Sequence, residues 1–171
     1  MNQPSGFVAV RAVALLVLLL VFAVSACGGS SGAHVTTSTA AAPPGPGTTL
    51  YAGGDWAVVL DGVKATAFHR VAGGWRPDTT AAVTVRVLGP HGSAAALPQV
   101  AVELSAKRPL IESGIWVDGR EIPVKGGGLT ATRGTIYGAP DASLAVGTHV
   151  AVAYARTAEH ATAVAWSFRV G

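Results

Sequence analysis

From Thr162 to Val170 the chain alternates strictly, with Val164, Trp166, Phe168 and Val170 on one face and Ala163, Ala165, Ser167 and Arg169 on the other. A period of two is the spacing of a half-buried β-strand. The same alternation runs through Val83–Val87, Val100–Leu104 and Val150–Tyr154, and Trp56–Leu60 opens the pattern. Shorter strands are predicted at 65–70, 115–117 and 130–137. Turn chemistry separates them: Asp61-Gly62, Gly73-Gly74, Gly89-Pro90, Asp118-Gly119, Gly126-Gly127-Gly128, Pro140-Asp141 and Gly147. No segment carries a sustained helical stripe. Many short strands at this spacing predict an all-β, antiparallel two-sheet β-sandwich over residues 50–171.

Upstream the pattern breaks. A weakly positive start with Arg11 leads into an apolar run from Ala12 to Val24, the layout of a secretory signal peptide over residues 1–26. The run ends in Val24-Ser25-Ala26-Cys27, and these residues resemble a bacterial lipobox. That resemblance implies a diacylglycerol on the Cys27 thiol and cleavage just before it. Two or more acyl chains hold a protein on a membrane where one holds only marginally. The implied place is the extracytoplasmic face of the cell membrane. A plain cleavable signal with an incidental Cys, or an uncleaved anchor, are the alternatives.

Residues 27–49 are Gly, Ser, Thr, Ala and Pro with hardly a large apolar side chain, so they are expected to form a disordered tether with a random-coil span of about 26 Å. His34 lies in it and reads as solvated.

The stretch Ser143 to Tyr154, with its Gly147-Thr148-His149 turn leading into a Val-alternating strand, is followed by a closing Trp166-Ser167-Phe168 strand. Together they resemble the last two strands of bacterial immunoglobulin-like domains on secreted and surface proteins, and Gly114–Gly119 fits the strand and turn that precede a second hairpin there. The resemblance covers residues 98–171. It implies an immunoglobulin-like sandwich, with 50–97 as extra strands or a divergent first half.

Composition then narrows the chemistry. Half of the 171 residues are apolar, yet the longest uncharged apolar run, Ala12 to Cys27, is shorter than the ~20 residues of a bilayer helix, which argues against a polytopic membrane protein. One Cys excludes an intrachain disulfide framework and a Cys-based zinc site. Twelve basic residues against nine acidic are too balanced for a dedicated nucleic-acid binder. The bias of Arg over Lys, with abundant Ala and Gly, resembles the usage of high-GC actinobacterial proteins.

Site chemistry is sparse. His34, His69, His91, His149 and His160 show no ligand spacing and read as solvated or turn residues, so no metal and no cofactor is expected. Outside the tether the chain has no Gly-x-Ser-x-Gly elbow, and its Asp residues mostly sit beside Gly or Pro as turn formers, so no catalytic residue is expected either. Three aromatics carry the functional question. Trp166 reads as core. Trp75 and Arg76 lie in a loop, Gly73–Asp78, that would present an aromatic–Arg pair to a sugar ring or a protein partner; the alternative is that Trp75 caps the sandwich end. Trp116 alternates against Ile115 and Val117, so it faces outward, either covered by the N-terminal half or exposed as a further ligand contact.

The expected function is a non-enzymatic, monomeric binding or scaffolding module, tethered through its lipid beside an envelope protein or cell-wall glycan. The rival readings are an accessory module of a cell-wall-modifying enzyme system and a periplasmic-type copper carrier, for which His34 near the mature N-terminus is the only pointer.

Overall fold

The computed structural model describes residues 46–126 and 131–171, with no helix among the described residues. The expected signal peptide, Cys27, His34 and the tether as far as residue 45 lie outside them.

The first four strands are β1 (Thr48–Gly53), β2 (Trp56–Asp61), β3 (Lys64–Val71) and β4 (Gly74–Pro77), paired in that order as an antiparallel meander. Among the described residues strand structure thus begins at Thr48, inside the expected tether. The apolar Leu50 and Tyr51 draw this end of the chain onto a core.

Among the described residues nine strands follow: β5 (Val83–Gly89), β6 (Gly92–Ala94), β7 (Val100–Ala106), β8 (Glu112–Val117), β9 (Arg120–Glu121), β10 (Val124–Lys125), β11 (Arg133–Gly138), β12 (Gly147–Arg156) and β13 (Ala161–Val170). They form two sheets, β10-β11-β7-β5 and β6-β13-β12-β8-β9. With β5 and β6 as the two parts of strand A, β7 as B, β8 as C, β10 as D, β11 as E, β12 as F and β13 as G, these orders are the immunoglobulin arrangement of an ABED sheet facing a GFC sheet. The sandwich therefore begins at Val83. Residues 83–94 are its first strand, and 48–77 are the extra strands.

The meander makes a third sheet, where the alternation suggested two. Two clusters of buried side chains show why. In the first, Val100, Val102 and Leu104 of β7 meet Ile115 and Val117 of β8, Ala151, Ala153 and Ala155 of β12, and Phe168 and Val170 of β13. In the second, Trp56, Val58 and Ala67 of the meander meet Trp116 of β8, Val152 and Tyr154 of β12, and Ala161 of β13. Odd and even positions of β12 thus feed different cores, and the central sheet is covered on both faces. The half-buried reading of β13 is corrected accordingly: Trp166, Phe168 and Val170 pack on the sandwich core, with the partly buried Val164 on the same face by alternation, but Ala161, Ala163 and Ala165 pack against the meander. Their small size, matched by Ala65 and Ala67, keeps the seam thin at this end. At the other end large rings fill it, each contributing about 4–6 kcal/mol from ~150–250 Å² removed from water, before ordering entropy.

Candidate functional site

Trp75 and Arg76 sit on β4, in the β3–β4 hairpin rather than a loop. Consecutive strand residues point to opposite faces, so the two do not form a pair. Trp75 lies opposite Arg70 and Phe68 lies opposite Pro77. These four share the outer face of the meander, since the preceding Ala67 belongs to the inner core and the intervening His69 pairs with Trp56 of that core. Phe68, Arg70 and Trp75 are partly buried, and Pro77 is exposed. The result is an aromatic surface with a guanidinium at its edge.

Arg76 belongs to the other face. It is exposed and pairs in register with His69, which in turn pairs with Trp56. The His69 imidazole stacks on the Trp56 indole with ring centroids 4.2 Å apart and planes 9° apart. The Arg156 guanidinium carbon lies 6.0 Å from the centroid of the same indole, within cation–π range. Arg76, His69, Trp56 and Arg156 thus form a row from the meander edge onto β12.

Behind this row the seam holds a polar bridge. The Arg156 Nε donates to Glu112 Oε2, and the Tyr51 hydroxyl donates to Glu112 Oε1 at 2.5 Å. Burial, then the hydrogen bond to Glu112, pushes the Tyr51 hydroxyl up to about 12. Tyr51 also touches Tyr154 and Trp116 edge-on or tilted, at 5.3 and 6.3 Å between ring centroids. Trp116 is 3% exposed. Its outward orientation from the sandwich holds, and the N-terminal half covers it, so the expected ligand contact is corrected to a packing residue. The sequence does not single out Tyr51, Glu112 or Arg156, and the reading of His69 as a solvated or turn residue is corrected to a strand residue stacked on Trp56. Glu112 is 61 residues from Tyr51 and 44 from Arg156, and no local pattern signals such pairings.

The reading of His149 is corrected as well. His149, read as a solvated or turn residue, is 8% exposed. Its Nδ1 lies 2.6 Å from Asp118 Oδ2 and its Nε2 2.8 Å from the Ala145 carbonyl oxygen, while Asp118 Oδ1 accepts from the Val150 amide at 3.0 Å. Asp118 and Gly119 both have positive φ, 50° and 80°, the two-residue hairpin turn expected of Asp-Gly. Asp118 therefore makes its turn and also ties it to β12. Asp78 does the same for the link between meander and sandwich: it accepts from the amides of Thr80 and Ala161, each at 2.9 Å, and from His160 Nδ1 at 3.3 Å. Burial alone would raise the Asp78 carboxyl, but these donors outweigh it and hold it below the usual carboxylate value.

Both Asp–His pairs are thus committed to backbone partners. Among the described residues no three His, Cys, Asp or Glu side chains come together as a metal site. The arrangement suits contact chemistry: stacking on the outer face of the β3–β4 hairpin, and hydrogen bonding or charge pairing through Arg70 and Arg76. The chain matches no protein-family model and no curated protein.

Proposed function

We propose that the chain is a lipid-anchored cell-envelope protein, held on the extracytoplasmic face of the membrane through Cys27, whose immunoglobulin-like unit is a non-enzymatic binding or scaffolding module. The observation that carries this reading is the sequence Val24-Ser25-Ala26-Cys27 after a short apolar run and before a Gly/Ser/Thr/Pro tether. Confinement beside the envelope raises the effective concentration of the module for a protein or glycan partner there. The β3–β4 hairpin supports the choice of surface: Trp75, Phe68 and Arg70 line one side of it and Arg76 the other. Rings on a flat sheet suit the apolar face of a sugar or an aromatic-rich protein surface.

Two measurements test the proposal. Wild type is expected to partition into the detergent phase and take up acyl label, and Cys27→Ala to do neither; acyl label on Cys27→Ala refutes the anchor. Recovery of envelope partners on immobilised protein is expected to fall with Trp75→Ala. Equal recovery of every partner refutes the surface while leaving the anchor standing.

A further inference from the structure

We infer that the end of the β5–β7–β11 sheet is a binding cleft for a phosphoryl group. An open cleft of about 360 Å³ lies there, lined by Thr84, Ser105, Lys107, Thr132 and Arg133 together with small Ala side chains. The register builds it. Thr84 of β5 pairs with Ser105 of β7, which pairs with Arg133 of β11, so the three stand in one row across the sheet. Val83 and Leu104 point into the sandwich core, which turns Thr84 and Ser105 to the outer face. Lys107 follows just after β7, and Thr132 just before β11.

The electrostatics of this row are unbalanced. Arg86 and Glu103, one row further along, neutralise each other at 2.5 Å. Lys107 and Arg133 are exposed and form no ion pair among the described residues. Two like charges lining one cleft repel, and a bound anion relieves the repulsion. The donor set selects the anion. A guanidinium offers two parallel N–H groups to two oxygens, an ammonium adds a point charge, and three hydroxyls add single donors. That is more than the two oxygens of a carboxylate need, and it suits the three or four oxygens of a phosphate. The inference does not rest on the anchor or on the hairpin surface.

The test uses the full chain, with inorganic phosphate as probe and chloride at matched ionic strength as control, read by calorimetry and thermal unfolding. Wild type is expected to bind phosphate saturably and gain thermal stability. Lys107→Gln/Arg133→Gln is expected to lose the response, Arg133→Lys to weaken it about tenfold by losing the paired N–H groups, and Lys64→Gln/Lys125→Gln to keep it. Should the double variant fold poorly, Thr84→Val, which removes one donor without touching charge, is expected to weaken binding. Anionic phospholipid vesicles that displace phosphate would name a lipid headgroup as the source, and failure to displace it a soluble phosphate; either upholds the site. No saturable phosphate response in wild type, or an undiminished one in Lys107→Gln/Arg133→Gln, overturns it.

Discussion

His149 and Asp118 face each other across the sandwich end with Nδ1 and Oδ2 2.6 Å apart, while the second ring nitrogen of His149 meets the Ala145 carbonyl. Only the imidazolium can donate at both nitrogens. Asp118, then the Ala145 carbonyl, raise the His149 pKa above its ordinary 6.5, against the lowering caused by burial. The folded chain therefore binds this proton more tightly than the unfolded one. The stability gained is complete below about pH 6.5 and is lost as pH rises through the raised folded value. Thermal unfolding followed from mildly acidic to mildly alkaline pH is expected to show Tm falling in wild type. Asp118→Asn keeps the turn but removes the charge, and is expected to flatten that fall; an unchanged slope would show that the pair carries no charge.

Asp78 carries the opposite sign. Its carboxyl is held below the ordinary 3.8, so its contribution is present above that value and fades as pH falls through the folded value. Asp78→Ala strands the Thr80 and Ala161 amides and is expected to cost about 1–3 kcal/mol in denaturant unfolding at neutral pH. The same variant is expected to loosen the meander first, seen as faster amide exchange in β3 and β4 than in β12.

Tyr51 and Tyr154 pack against each other with tilted rings, but their hydroxyls differ. Tyr51 donates to Glu112, whereas the Tyr154 hydroxyl is buried with no protein partner among the described residues. Tyr51→Phe is expected to cost about 1.5–3 kcal/mol, the range for a hydrogen bond to a charged group, and Tyr154→Phe to be neutral or stabilising. Chemical denaturation of the two variants side by side checks this, and the reverse order would contradict it.

Gly114 underlies Trp116 on β8. A Cβ there would lie 2.7 Å from the indole Cη2, and the ring is too closely packed by Tyr51 and Tyr154 to step aside. Gly114→Ala is expected to destabilise by about 1–3 kcal/mol, the usual cost of overpacking, although the substitution favours a strand. Trp116 fluorescence is expected to shift with it; unchanged stability and emission would mean the seam yields easily.

Much of this was legible before folding was considered. Val164, Trp166, Phe168 and Val170 declared the inner face of β13, Asp118-Gly119 declared its turn, and the even spacing of strands declared an all-β sandwich. Period-two alternation and turn chemistry are local, so they survive in the bare sequence. The hairpin around Trp75 shows the limit. A four-residue strand flanked by Gly and Pro reads as a loop, and placing Trp75 and Arg76 on one surface ignored the alternation that a strand imposes.

The amino-acid order by itself determined most of the longer strands, their turns and which residues share a face within them, because each follows from neighbours a few positions apart. Only the tertiary structure decided what covers those faces. Ala163 and Ala165 read as solvent-facing until β3 was laid against them, Trp116 could face either a ligand or a core, and Glu112 gained its meaning from Tyr51 and Arg156. Such outcomes depend on two sheets meeting across a seam, and apolar alternation looks the same whether one face of a strand is buried or both.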